Sequence, residues 1–195
     1  MSPQSSPKQP FKLPGLGSGN SIMLRIGVAA AGLIVLLIVF AIIKSLIFKG
    51  PDLASYVTIA QDQQELLHLA GDALSSQQQS ALSEGSQNLS ATIQAALASN
   101  QTQIITYLAT NHQKINAKTL NLKVSTILDT QLTTAQSAGI YDPTFQGIMQ
   151  AQLKAYMNDL QRTYQASNGK KGRALLSSDY KQASLLLNQL VAVPN

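Results

Sequence analysis

Glu65, His68 and Asp72 are spaced i, i+3, i+7, and on a helix that spacing places all three on one side. Glu-x-x-His is also the ligand pair of ferritin-like di-iron bundles. A complete site of that kind takes a second such pair and two further glutamates, whereas this chain has only Glu65 and Glu84. The other histidine, His112, has no acid at either neighbouring helical spacing. The pattern therefore predicts a solvated polar face, with no metal and no cofactor assigned.

Other chemistries find even less footing. The chain lacks cysteine, which removes thiolate metal sites, cysteine nucleophiles and disulfides. Serines are plentiful, but no G-x-S-x-G elbow occurs, and an all-helical domain lacks the strand-to-helix turn that exposes such a serine. Acid/base catalysis by paired carboxylates needs two acids in one cleft, and the nine acids here are scattered mostly one to a helix. Gly169-Lys170-Lys171-Gly172-Arg173 lacks the spacing of a phosphate loop and reads as a solvated hairpin loop. Asn88-Leu89-Ser90 and Asn100-Gln101-Thr102 match the glycosylation sequon, a match that Ser/Thr-rich chains produce by chance. Tyr107, Tyr141, Tyr156, Tyr164 and Tyr180 could line a pocket, but Tyr156 and Tyr164 fall on an apolar stripe and are expected in the core. No catalytic, cofactor-binding or metal residue is assigned.

The elements that would position these residues are helical almost throughout. From Leu53 the apolar positions run Leu53, Val57, Ala60, Gln64, Leu67, Gly71 and Leu74, in steps of three and four. Leu82, Leu89, Ile93 and Leu97 mark a second stripe, and Ile104, Leu108 and Ile115 a shorter third. The phase is lost near residues 116–119, then resumes through Leu120, Val124, Leu128, Leu132 and Ala135. Phe145, Met149, Leu153, Tyr156, Leu160 and Tyr164 form the clearest face, and Leu176, Tyr180, Ala183, Leu187 and Leu190 the last. Gly139-Ile140-Tyr141-Asp142-Pro143 predicts a glycine stop, then an Asp N-cap with proline at the first helical position. Strand signals are nearly absent. The fold class is thus all-α: one N-terminal transmembrane helix followed by an antiparallel bundle of about five or six helices, residues 49–195. Outward positions carry Gln, Ser, Thr and Asn, as at Gln61, Gln63, Gln64 and Gln77 to Gln79. Such a surface does not steer a charged partner from a distance.

The segment from Ile22 to Phe48 predicts the transmembrane helix. It holds eighteen consecutive uncharged residues, Ile26 to Ile43, and Arg25 and Lys44 flank them where they can snorkel. About 20 helical residues cross a ~30 Å hydrocarbon core. The run is longer than a signal-peptide core, and its exit, Lys44-Ser45-Leu46-Ile47-Phe48-Lys49, is not a small-residue cleavage site. An uncleaved membrane anchor is expected. A pilin-type helix would carry an acid near its start, and none precedes Asp52. Residues 1–21, with Pro3, Pro7, Pro10 and Pro14, are expected to be a disordered tail.

Charge follows the same division. All five basic residues before position 50 lie there without an acid, while the nine beyond it balance the nine acids. The basic pI is therefore no nucleic-acid footprint. Lys8, Lys12 and Arg25 on one side of the span against Lys44 and Lys49 on the other favour a cytoplasmic N-terminus and an extracytoplasmic bundle. Gly27 and Ala31 offer a small-xxx-small contact for a homo-oligomer. The expected function is non-catalytic: a single-pass membrane protein whose bundle binds or scaffolds an envelope partner. Carriage of a small apolar ligand, or an envelope hydrolase or metal-dependent enzyme, are the alternatives.

Overall fold

A computed structural model describes residues 52–193. Six helices and no strand occur among them: α1 (Leu53–Ala73), α2 (Glu84–Thr110), α3 (Ala117–Leu120), α4 (Thr126–Ser137), α5 (Tyr141–Ala166) and α6 (Lys170–Val191). Short 3-10 turns at Gln79–Ala81 and Asn121–Lys123 interrupt the connections. No helix among the described residues is long and apolar enough to cross a membrane. The expected tail and the expected span over residues 22–48 lie outside the described residues.

The four long helices form a ring in which α1 packs on α2 and α5, and α6 packs on the same two. Cross-helix hydrogen bonds give the directions. Gln101 Nε2 donates to the Ala60 carbonyl (3.1 Å), Gln63 Nε2 to Tyr156 Oη (2.8 Å) and Asn100 Nδ2 to Gln182 Oε1 (2.8 Å). Together with Tyr56 against Ser167, these make ring neighbours antiparallel. α2 and α5, diagonal in the ring but successive long helices along the chain, point the same way. The connection between them must therefore travel back along the bundle, and α4 does this on the outside, packed on α5 and running parallel to α1. Ile59, Leu66, Leu69, Ile93, Leu97, Ile104, Leu108, Phe145, Met149, Leu153 and Leu160 fill the centre.

Several local expectations need correction. From Leu89 onward the second stripe joins the third in one 27-residue helix, α2, with Leu82 before it; the helix is capped by Ser83 Oγ, which accepts from the Ser86 N–H. It ends at Thr110, and Ile115 lies beyond it. His112 terminates it at φ 63°, so the Gln113 N–H returns to the Leu108 carbonyl (2.9 Å). Gly139, at φ 71°, ends the α4 segment as its sequence position implies. The next helix starts at Tyr141, earlier than the Asp-Pro signal, because the Ile140 carbonyl already accepts from the Thr144 N–H. Asp142 and Pro143 therefore sit in its first turn. Likewise Lys170 to Arg173 form the first turn of α6 rather than a loop.

The buried face of α1 is rotated from the expected stripe, while α6 buries Leu176, Ala183 and Leu190 as expected and differs at the positions between them. α1 buries Tyr56, Ile59, Gln63, Leu66, Ala70 and Ala73, mostly one residue earlier, and α6 buries Asp179 and Leu186 rather than Tyr180 and Leu187. α1 is covered by α2, α5, α3 and the adjacent 3-10 turn, so its buried arc is wider than one stripe. Gln61 and Gln63, expected outward, lie inside that arc.

Candidate functional site

The polar residues of α1 meet the crossover in a row. Gln61 Nε2 donates to the Thr119 carbonyl (2.8 Å), and Lys123 pairs with Asp62. The Ser125 N–H donates to Glu65 Oε2 (3.0 Å), His68 Nε2 stands 3.0 Å from Asp129 Oδ1, and Gln136 Nε2 donates to the Gln77 carbonyl (3.0 Å). α4 buries only Leu132 and Ala135, so much of its attachment is polar.

Glu65, His68 and Asp72 do share one side of α1, as their spacing predicts. Asp72 alone keeps to the solvated face, with its side chain 51% exposed. Glu65 is 4% exposed and His68 is half-buried, because the crossover covers them. His68 Nε2 lies 3.4 Å from Asp72 Oδ2 as well as against Asp129, and one ligand atom from each of the three residues falls within 4.8 Å of the others. Asp129 arrives from α4, sixty-one positions away, and no local spacing could have paired it with His68. Burial raises the Glu65 carboxyl above its ordinary range, opposed by the Ser125 N–H and the His68 ring. Its second oxygen, Oε1, is buried without a hydrogen-bond partner. His112 stands apart at the end of α2.

Two further clusters were not legible in the sequence. Lys123 pairs with both Asp62 and Asp159, and Arg162 pairs with Asp159. Burial pushes the Asp62 carboxyl up to about 6 despite Lys123. Burial works the same way on Asp159, yet Arg162, Asp62 and Lys123 hold it below its usual value. Deeper in, Asp179 is 2% exposed, and its Oδ2 accepts from Gln63 Nε2 (3.1 Å) and Tyr156 Oη (3.4 Å). Burial raises this carboxyl to about 6, with the two hydrogen bonds opposing. It also raises the Tyr156 hydroxyl well above 10, assisted by the Asp179 charge. This triad ties α1, α5 and α6 together in the core, where all three side chains are buried. Tyr156 is thus the expected core tyrosine, but Tyr164 is 41% exposed and Tyr180 38%. They flank a groove of about 430 Å³ between α5 and α6, floored by Leu160 and Leu176 and edged by Lys181. Arg173 stands over the Tyr164 ring at 5.2 Å.

Charge is sorted along the bundle. The end where α1 begins also holds the end of α2 and the α5–α6 connection, as Tyr56 meets Tyr107 (ring centroids 4.7 Å apart) and Ser167. Lys114, Lys118, Lys170, Lys171 and Arg173 lie in or beside the connections at this end, against Asp52 alone. The opposite end carries Asp72, Glu84 and Asp142, with no lysine or arginine among the described residues of its turns. The neutral bundle is therefore a dipole. No family model, curated protein or solved structure matches the chain.

Proposed function

We propose that the chain is a single-pass membrane protein whose helical bundle stands on the extracytoplasmic face and acts, without catalysis, as a binding or scaffolding module for another envelope component. The observation that carries this reading is the charge sorting. The bundle end that begins at Leu53 is the basic one. Lysines and arginines close to anionic lipid contribute about 1 kcal/mol each. Headgroup contact through Lys170 and Lys171 would add to the hold of the anchor. The partner contact falls on the groove flanked by Tyr164 and Tyr180, whose Lys181 and nearby Arg173 suit an apolar segment with acidic side chains.

The test uses the absence of native cysteine. In intact cells, Gln165→Cys should react with a membrane-impermeant maleimide, and Ser2→Cys only after permeabilisation. In the same strain, residues 51–195 exported by a cleavable signal should fail to replace the full chain. Reversed labelling, or full replacement by the unanchored bundle, refutes the tethered reading. A second reading, carriage of a small apolar ligand, rests on the same groove. In that case Tyr180→Ala would lower the affinity for a fluorescent hydrophobic probe.

A further inference from the structure

The seam between α1 and α4 gathers three metal-competent side chains around one point. His68 Nε2 lies 3.0 Å from Asp129 Oδ1 and 3.4 Å from Asp72 Oδ2, and all three ligand atoms fall within 4.8 Å of one another. Metal–ligand bonds of about 2.0–2.1 Å separate neighbouring ligands by roughly 2.9 Å at right angles and roughly 3.4 Å at the tetrahedral angle. Both distances lie in that interval. His68 and Asp72 are one turn apart on a rigid helix, and Asp129 is in the first turn of α4. A second observation comes from Glu65, one turn before His68. It is more than nine-tenths buried, one oxygen is held by the Ser125 N–H beside Asp129, and the other has no partner. Ser125 is the N-cap of the helix that carries Asp129, so the unpartnered carboxylate lies in the same seam.

We infer that His68, Asp72 and Asp129 form a binding site for a first-row divalent cation of the zinc class. One imidazole nitrogen and two carboxylate oxygens suit such an ion, and imidazole argues against magnesium or calcium. Three protein ligands leave room for water, and the free Glu65 oxygen is the acceptor such a water needs. The cation clasps the crossover to α1 and neutralises two carboxylates that otherwise repel across the seam. This is a binding site rather than a reaction centre, and it does not depend on the membrane reading above.

Cobalt(II) is the probe, because its visible absorption reports coordination. The full chain, purified in detergent without a histidine tag and stripped with chelator, is titrated with cobalt and then with zinc as competitor. One cobalt per chain is expected, displaced by one zinc. Asp129→Asn and His68→Gln should each weaken binding at least about 10-fold, Glu65→Gln by about 10- to 100-fold as an outer-shell carboxylate, and His112→Gln should change nothing. Circular dichroism confirms that each variant is folded. Asp129→Asn lies on the outer crossover, so it keeps the test valid if His68→Gln disturbs α1. The absence of saturable binding overturns the inference. So does binding that survives both Asp129→Asn and His68→Gln, or binding that His112→Gln removes.

Discussion

Replacing Asp179 by asparagine should stabilise the bundle at neutral pH. Asp179 sits in the middle of α6 with 2% of its surface exposed, and no cation is among the groups that shift its carboxyl. Its folded carboxyl takes up a proton at about 6, against an ordinary value of 3.8. Between those values the folded state binds more protons than the unfolded one. The stability contribution of this group therefore rises as pH falls through that window, and its ionisation is a penalty above it. At 1.36 kcal/mol per unit, the penalty at neutral pH is about 3 kcal/mol as an upper figure. Asparagine removes the charge and keeps a carbonyl oxygen for the Gln63 and Tyr156 donors, which both point at one oxygen in the native residue. The assay is urea unfolding of residues 51–195 followed by far-ultraviolet circular dichroism, with cooperative helical unfolding as the first expectation. The native bundle should be more stable near pH 5 than near pH 7.5, and Asp179→Asn should gain about 1–3 kcal/mol at the higher pH and little at the lower one. Asp62 and Glu65, also raised by burial, leave part of the pH trend in the variant. An asparagine variant less stable than native at neutral pH, with a native protein that weakens on mild acidification, would refute the reasoning.

Gly172→Ala should cost about 1–3 kcal/mol, since its new Cβ would overlap the Tyr56 hydroxyl and approach Tyr107 Oη to 2.8 Å. Combining it with Tyr56→Phe should recover part of the loss, and denaturant midpoints of the single and double variants decide this. Leu160→Asp, an unpaired charge in the fully buried core, should abolish cooperative unfolding or lower stability by several kcal/mol, whereas Gln78→Asp should stay within about 0.5 kcal/mol. Equal effects at the two positions would contradict the placement of the core.

The all-helical class and most of the long helices were legible because each carries apolar residues at a period that only a helix can turn to one side. Gly139 after α4 marked a real end, since a positive φ is a local requirement, whereas the Ser83 cap of α2 was not singled out by the apolar stripes. Where local signals misled, packing decided. Asp-Pro at 142–143 lost to the Ile140 carbonyl, and Lys170 to Arg173 joined α6 because Gly172 fits against Tyr56 and Tyr107. The candidate site divides along the same line. Glu65, His68 and Asp72 were placed together by spacing, while Asp129 joined them only through the return path of α4. Gln63, expected outward, was buried when three helices closed around it and Asp179. Periodicity reports which side of a helix is apolar. It carries no term for a partner helix far along the chain, and it is such partners that bury a glutamine, raise a carboxyl or bring a second aspartate to a histidine.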